Sequence, residues 1–481
     1  MKTNTFKKFL AIAVSLALLI AMMTALTGCG SKETGTVTLT WLIPGDQQPD
    51  LPAVLEEANK IVEKEIGAKI DIQFIDSGAY NERMVMNMAS GLDYDLCFTG
   101  YVNPYIDAAQ KGGLMDITDM IDNYPKLKEA IPDYAWDVAD LNGRIYAVPN
   151  LQIMATATGI VVFKDIADKY DFDFSTVKTM DDLEPYLEMV KNGDPDVYPY
   201  RPNYGTFPWT SPKYESLDAG LAIKKDGSTS KLEMLRETPE YKHAVETLRD
   251  WYLKGYIRAD VLSATDDNSD YLAGKYAISH SMVKPGVEAE IKNQTGREVI
   301  VVPLEEPYLS KNKGTATMIG VGQNSKHPEK ALEFIELINT NEELYNLISF
   351  GIEGKHYTKN SDGKISIIEN SGYSPNAAWK FGNQFKAYIT EGQDDDVWEA
   401  TERTNNESLK SPILGFIFDN SSVKSEISQI STVASEYSVL DKGADDPAKY
   451  LDEYNKKMEA AGQQRVLEVM QAQIDEYWKT K

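Results

Sequence analysis

The apolar positions of this chain change period along its length, and the changes mark its elements. Residues 9–25 are almost unbroken apolar sequence, with only Ser15 and Thr24 polar. From Val37 to Leu42 apolar and polar residues alternate in β-rich sequence, which predicts a strand. Residues 51–66 place Val54, Leu55, Ala58, Ile61 and Val62 at helical spacing, and Gly67 follows as a C-terminal stop. Ile70 to Ile75 alternates again. Tyr80 to Ala89 puts Met84, Val85 and Met88 on one helical face, and Asp95 to Thr99 reads as a third strand. Strand, helix, strand, helix, strand at this spacing predicts parallel βαβ units and an α/β sheet.

Further on, Asn142-Gly143 is a turn before the extended segment 144–149, and 159–163 is a strand. Helices are predicted at 180–190, 241–253, 328–339 and 342–348, and strands at 275–279, 298–302 and 315–321. Asp362-Gly363 joins two short alternating runs as a hairpin. Beyond Ala377 the chain reads as mainly helical, most clearly at 447–461 and 465–478. Residues 192–212 break the pattern. Five prolines, several Tyr and Trp209 with little periodicity predict a long irregular loop, and such loops often carry function.

The first apolar run is a different kind of segment. Lys2, Lys7 and Lys8 precede it, and it is shorter than the ~20 residues a membrane span needs. A basic start, a short apolar stretch and small residues at its end describe a secretory signal over residues 1–28. Leu26-Thr27-Gly28-Cys29 also resembles the lipobox of bacterial lipoproteins. That resemblance implies lipidation of Cys29, a polar tether over 29–36 and a lipid-anchored protein on the extracellular face of a Gram-positive cell membrane. No later stretch of about 18 apolar residues follows.

Charge narrows the partners. The chain carries −25, and without the three lysines of the leader the figure is −28. That field repels nucleic acid and anionic lipid, so neither is an expected ligand. Cys97 is the one cysteine left after Cys29, so no internal disulfide is expected, and Asp95-Leu96-Cys97-Phe98 reads as a buried strand.

Little in the chain points to reaction chemistry. The four histidines, at 243, 280, 327 and 356, lack zinc-site spacing. Asp266-x-Asn268-x-Asp270 begins like a calcium loop, but Tyr271 and Ala277 stand where glycine and glutamate are required. Neither G-x-S-x-G nor a phosphate-binding loop occurs, and no carboxylate pair stands out from the abundant Asp and Glu. No metal, cofactor or catalytic residue is therefore assigned, and a binding protein is favoured over an enzyme.

Several segments in order are similar to a family 1 extracellular solute-binding protein of an ABC importer: Leu114 to Asp119, Asn142 to Pro149, Ala273 to Ile278 and Ser325 to Ala331. Tyr345 to Tyr357, Trp379 to Gln384 and Phe416 to Glu426 resemble a Gram-positive lipoprotein subfamily with a C-terminal domain of uncharacterised function. The resemblance implies an α/β, two-lobed periplasmic-binding-protein-like fold (class II) with solute held in a hinged cleft. Lobe 1 is expected from residues 37–152 and 316–360, and lobe 2 from 153–315 and 371–481. Crossings are expected near Asn150 to Thr158, Thr315 to Val321 and between Tyr357 and Pro375. It also implies a permease as partner, a monomer, and an oligosaccharide as the leading ligand, with a peptide or another solute next and a glycan-acting enzyme further behind.

Ligands in open α/β sheets sit at the carboxyl ends of the strands. Asp46 and Gln47 follow the first strand, and Tyr101 and Asn103 the third. By their place in the family pattern, Asn150 and Gln152 lie at the first crossing, His280 and Ser281 follow a strand facing the cleft, and Asn383 accompanies Trp379, where relatives stack a sugar. Tyr204, Phe207 and Trp209 come from the proline-rich loop. Aromatic planes cover the apolar face of a sugar, while amides and carboxylates satisfy its hydroxyls.

Overall fold

A computed structural model describes residues 36–141, 143–311 and 313–479. The expected secretory leader and Cys29 lie outside the described residues. No helix among those described is long and apolar enough to cross a membrane.

The predicted βαβ start is present. Strands Val37–Pro44, Ala68–Ile75 and Leu96–Gly100 lie parallel, with Val37–Pro44 between the other two. The helix Leu51–Ile66 turns Val54, Ala58 and Val62 inward, with Pro52 in its first turn and Gly67 ending it at φ 65°. The helix Ser77–Ser90 is capped by Asp76, whose carboxylate accepts from the Ala79 amide at 3.0 Å. Thr317–Val321 and then Ala147–Pro149 add antiparallel strands to complete the sheet. Beneath it, Trp41 meets Phe334 and Phe381 edge-on at 5.6 and 6.0 Å. Cys97 is fully buried, as its strand context predicts.

The second sheet runs Val299–Pro303, Ala157–Phe163, Tyr276–Val283, Tyr198–Arg201. Tyr198–Arg201 lies inside the stretch expected to be irregular. It is an edge strand paired only with Tyr276–Val283, and at an edge Pro199 costs little because no second partner needs its missing N–H. The core of this lobe is built on Trp251, Tyr186 and Tyr200. A third core joins the small sheet Tyr214–Ser216, Leu221–Lys224 and Glu233–Met234 to the C-terminal helices Lys424–Glu436, Pro447–Ala460 and Gln463–Trp478.

The chain first passes between the sheets from Pro149 to Ala157. The other two crossings differ from those expected. The second spans residues 304–316, because Thr317–Val321 is itself a strand of the first sheet. The third comes after the helix Val397–Glu407 rather than before Pro375. Ala377, Phe381 and Ala387, expected in lobe 2, belong to the first core. The strap that carries them is held by bonds to its backbone, including Tyr345 Oη to Ala378 O at 2.7 Å and Asn346 Nδ2 to Lys386 O at 2.7 Å.

All three crossings lie side by side. Tyr308 N donates to Thr156 O at 3.0 Å, and the pair Tyr308–Leu309 runs parallel to Leu409–Lys410. Two buried carboxylates bind this ribbon to the second lobe. Glu215 accepts from Tyr308 Oη at 2.7 Å, Ser411 Oγ at 2.6 Å and Lys311 N at 2.8 Å. Glu305 accepts from Thr158 N at 2.9 Å and pairs with Lys225 at 2.6 Å. Removing a buried acceptor strands its donors, at a cost of about 1–3 kcal/mol for each group. Glu215→Ala is expected to lower the denaturant midpoint of unfolding substantially, whereas exposed Asp395→Ala should leave it within error; equal midpoints for the two variants would remove Glu215 from this role.

Candidate functional site

Both sheets end on the ribbon of crossings, and those ends make the walls of a cleft. On the first wall, Gln152 follows the strand Ala147–Pro149 and donates through Nε2 to Thr317 Oγ1 at 2.6 Å. Trp379 stands on a short turn, Ala378–Lys380, with Tyr101 tilted against it at 5.6 Å. Tyr101 is 51% exposed and Trp379 half-buried, lining the cavity described below. Below it Lys380 is buried, its Nζ 4.8 Å from the Trp379 ring centre and 2.8 Å from Pro44 O. Burial lowers the Lys380 ammonium below its usual range, opposed by the nearby charge of Asp46. Asp46 is exposed at this edge, while the Gln47 amide is committed to Phe74 O.

On the second wall, Tyr276–Val283 runs antiparallel to Ala157–Phe163, with Val283 opposite Ala157, so its carboxyl end lies at the hinge. Tyr198–Arg201 is parallel to it and delivers the loop 202–210 to the same edge. Tyr204 and Phe207 from that loop flank His280, with ring centres 4.3 and 5.6 Å away. His280 is 3% exposed, and neither ring nitrogen has a hydrogen-bond partner. Burial lowers its pKa to about 4, so the ring is neutral. Ser281 is the next residue of the strand, partly buried opposite Gly159.

A cavity of about 510 Å³ opens between the walls. Gln152, Trp379, Tyr388 and Trp398 line one side, and Lys284, Asn293 and Gln294 the other. Trp398, Tyr388 and the amides of Asn293 and Gln294 were not singled out in the sequence. They come from two segments far apart in the chain, and neither carries a motif.

Four expected contacts are occupied elsewhere. Asn103 adopts φ 55° in a buried turn, where its side-chain Nδ2 donates to Phe98 O at 3.2 Å and its backbone carbonyl accepts from Thr99 Oγ1 at 2.6 Å. Asn150 is fully buried and donates to Lys380 O at 2.9 Å, supporting the Trp379 turn from behind. Asn383 caps a turn by accepting from Phe385 N at 3.0 Å. Trp209 packs on Trp251 at 5.5 Å and donates to Asp181 at 3.1 Å, which makes it an anchor of the second core. The carboxylates of the calcium-like stretch are ion-paired, Asp270 with Arg258 at 2.9 Å and Asp267 with Arg201 at 2.6 Å.

Residues 45–344 match the family described as bacterial extracellular solute-binding protein, and the chain is 31% identical over 497 residues to a carbohydrate ABC transporter substrate-binding protein of Streptococcus pneumoniae, covering 99% of this chain and all of that one. The chain belongs to the bacterial extracellular solute-binding proteins. Residues 412–479 of this solute-binding protein match a domain of unknown function. Among solved structures, it is similar to the N-glycan transport solute-binding protein NgtS of S. pneumoniae, at TM-score 0.83 and 29% identity over 92% of this chain and 99% of that one. With NgtS in complex with Man5GlcNAc the TM-score is 0.69, at 30% identity over 93% and 99%. The two-lobed fold expected from the sequence is the fold of these proteins.

The His280 ring generates a pH dependence. Its folded pKa lies below the ordinary 6.5, so the unfolded chain takes up the proton first as pH falls. The stability it contributes is complete above pH 6.5 and is lost as pH falls from there through about 4, by up to roughly 3 kcal/mol. Urea unfolding at pH 7 and pH 4.5 is expected to show a smaller loss for His280→Phe than for the wild type; parallel losses would contradict a buried neutral His280.

Proposed function

We propose that this protein is the substrate-binding lipoprotein of an ABC importer, capturing an oligosaccharide in the cleft and releasing it unaltered to a membrane permease. The observation that carries the reading is the pairing of Trp379 and Tyr101 at the edge of a cavity that also offers Gln152, Asn293 and Gln294. A ring face covers the apolar side of a pyranose, and amides answer hydroxyls that would otherwise be buried unpaired. A cavity of about 510 Å³ is within the usual span for small-ligand sites. The names of its relatives support a carbohydrate, and the NgtS complexes support an N-glycan fragment such as Man1GlcNAc or Man5GlcNAc.

Of the expected contacts, we assign Trp379, Tyr101, Gln152 and Asp46 to the first wall and Tyr204, His280 and Ser281 to the second. Tyr204 is the exposed member of this wall, and His280 packs behind it. Closure brings the walls together because the ligand bridges them only in the closed state. Acylation of Cys29 would hold the protein at the extracellular face of the cell membrane.

Man5GlcNAc is expected to raise the melting midpoint, corresponding to about 2.7 kcal/mol at a hundredfold excess over Kd, and to be recovered intact. Trp379→Ala should weaken binding by about 1–3 kcal/mol with little change in the ligand-free midpoint. A midpoint raised only by peptides, or a glycan recovered cleaved, would end the carbohydrate-receptor reading.

A further inference from the structure

Part of the C-terminal region reaches the back of the second wall. Residues 412–479 build most of the third core, but their turn Leu440–Lys442 lies on the helix Pro239–Lys254. Arg249 Nη1 donates to the carbonyls of Gly443 and Ala444, each at 3.1 Å. Gly443 adopts φ 68°, and a Cβ there would stand 2.2 Å from Leu248 O, so the turn is seated backbone to backbone. Only glycine allows that approach.

From this seat two consecutive side chains grip the loop 202–210. Lys442 Nζ donates to Pro202 O at 2.9 Å, at the start of the loop. Asp441 accepts from Thr206 Oγ1 at 3.5 Å and from Tyr241 Oη at 3.4 Å. Gly205, between Tyr204 and Thr206, lies so close that a Cβ on it would be 2.7 Å from Asp441 Cβ. On the loop's other side Asn203 bonds the backbone of His280 in both directions, at 3.2 and 3.3 Å. The loop is thus held between the strand that carries His280 and the C-terminal turn. Asp441 is desolvated enough to raise its carboxyl to about 6. A desolvated carboxyl is a poor choice for packing alone, since an apolar side chain would fill the space without that cost.

We propose that the C-terminal region serves ligand binding from behind, with Asp441 and Lys442 as positioning residues that hold Tyr204 and Phe207 against His280. Its bearing on affinity rests on the carbohydrate reading above. Its structural content does not, because the loop either shields His280 or fails to.

The test is the rate at which diethyl pyrocarbonate modifies each histidine of the full-length protein, read by peptide mapping, together with the Kd for Man5GlcNAc. In the wild type His280 reacts slowly and exposed His243 quickly. In Asp441→Ala/Lys442→Ala, His280 should react about tenfold faster with His243 and His356 unchanged, as expected for local opening. The Kd should rise about tenfold, a loss of about 1.4 kcal/mol. Asp441→Asn keeps shape and acceptor and should behave as wild type. If buried His356 also becomes reactive the double variant has unfolded, and Lys442→Met, which loses only the bond to Pro202, is then read by the same criteria. A folded variant with His280 still protected overturns the proposal. A faster His280 with unchanged Kd confines the turn to bracing the loop and overturns its role in binding. If the wild type binds no Man5GlcNAc, the carbohydrate reading fails while the labelling still decides whether the turn positions the loop.

Discussion

The three crossing segments hydrogen-bond to one another, and the geometry of the cleft follows from that contact. Thr156, Tyr308 and Leu409 come from stretches separated by about 100 to 250 residues, yet they form one narrow ribbon. Glu215 and Glu305 fix the ribbon to the second lobe through buried bonds, and Asn405 fixes the first crossing to the helix that precedes the third, accepting from Met154 N at 2.8 Å and Ala155 N at 3.0 Å. A ribbon so narrow resists sliding, because its ladder would break, but it can bend. Bending moves one rigid core against the other, which is the motion a cleft needs to close on a solute.

The walls are built on different principles. The first sets exposed Tyr101 against half-buried Trp379 and keeps a cation beneath them, with Lys380 secured to Pro44 O and its turn backed by Asn150. The second hides its polar group: His280 sits neutral and unpartnered behind Tyr204 and Phe207. An exposed ring can meet a sugar at encounter. A shielded imidazole instead backs the aromatic side chains packed on it. The C-terminal region enters this picture as the support of the shield.

Elements with one-sided periodicity were legible in the sequence. The first three strands, the helix stopped by Gly67 and the C-terminal helices stand where their apolar spacing places them. The strap from Tyr373 to Ala387 was not, because its buried residues follow no helical or strand period and its bonds come from distant side chains such as Asn346. The edge strand Tyr198–Arg201 was masked by proline, which reads as a loop unless the edge is known. At the site, Trp209 and Trp379 were indistinguishable as sequence. Each is a half-buried aromatic near glycine and proline, and only their neighbours separate them: Trp209 packs on Trp251, while Trp379 lines the cavity. Local pattern names the candidates; which way each points is a long-range fact.

The most direct measurement is small-angle X-ray scattering of the secreted chain with and without saturating Man5GlcNAc. Closure about the ribbon predicts a smaller radius of gyration and a shortened maximum dimension when the glycan is bound. Demonstrated binding with an unchanged scattering profile would contradict a cleft that closes on its ligand.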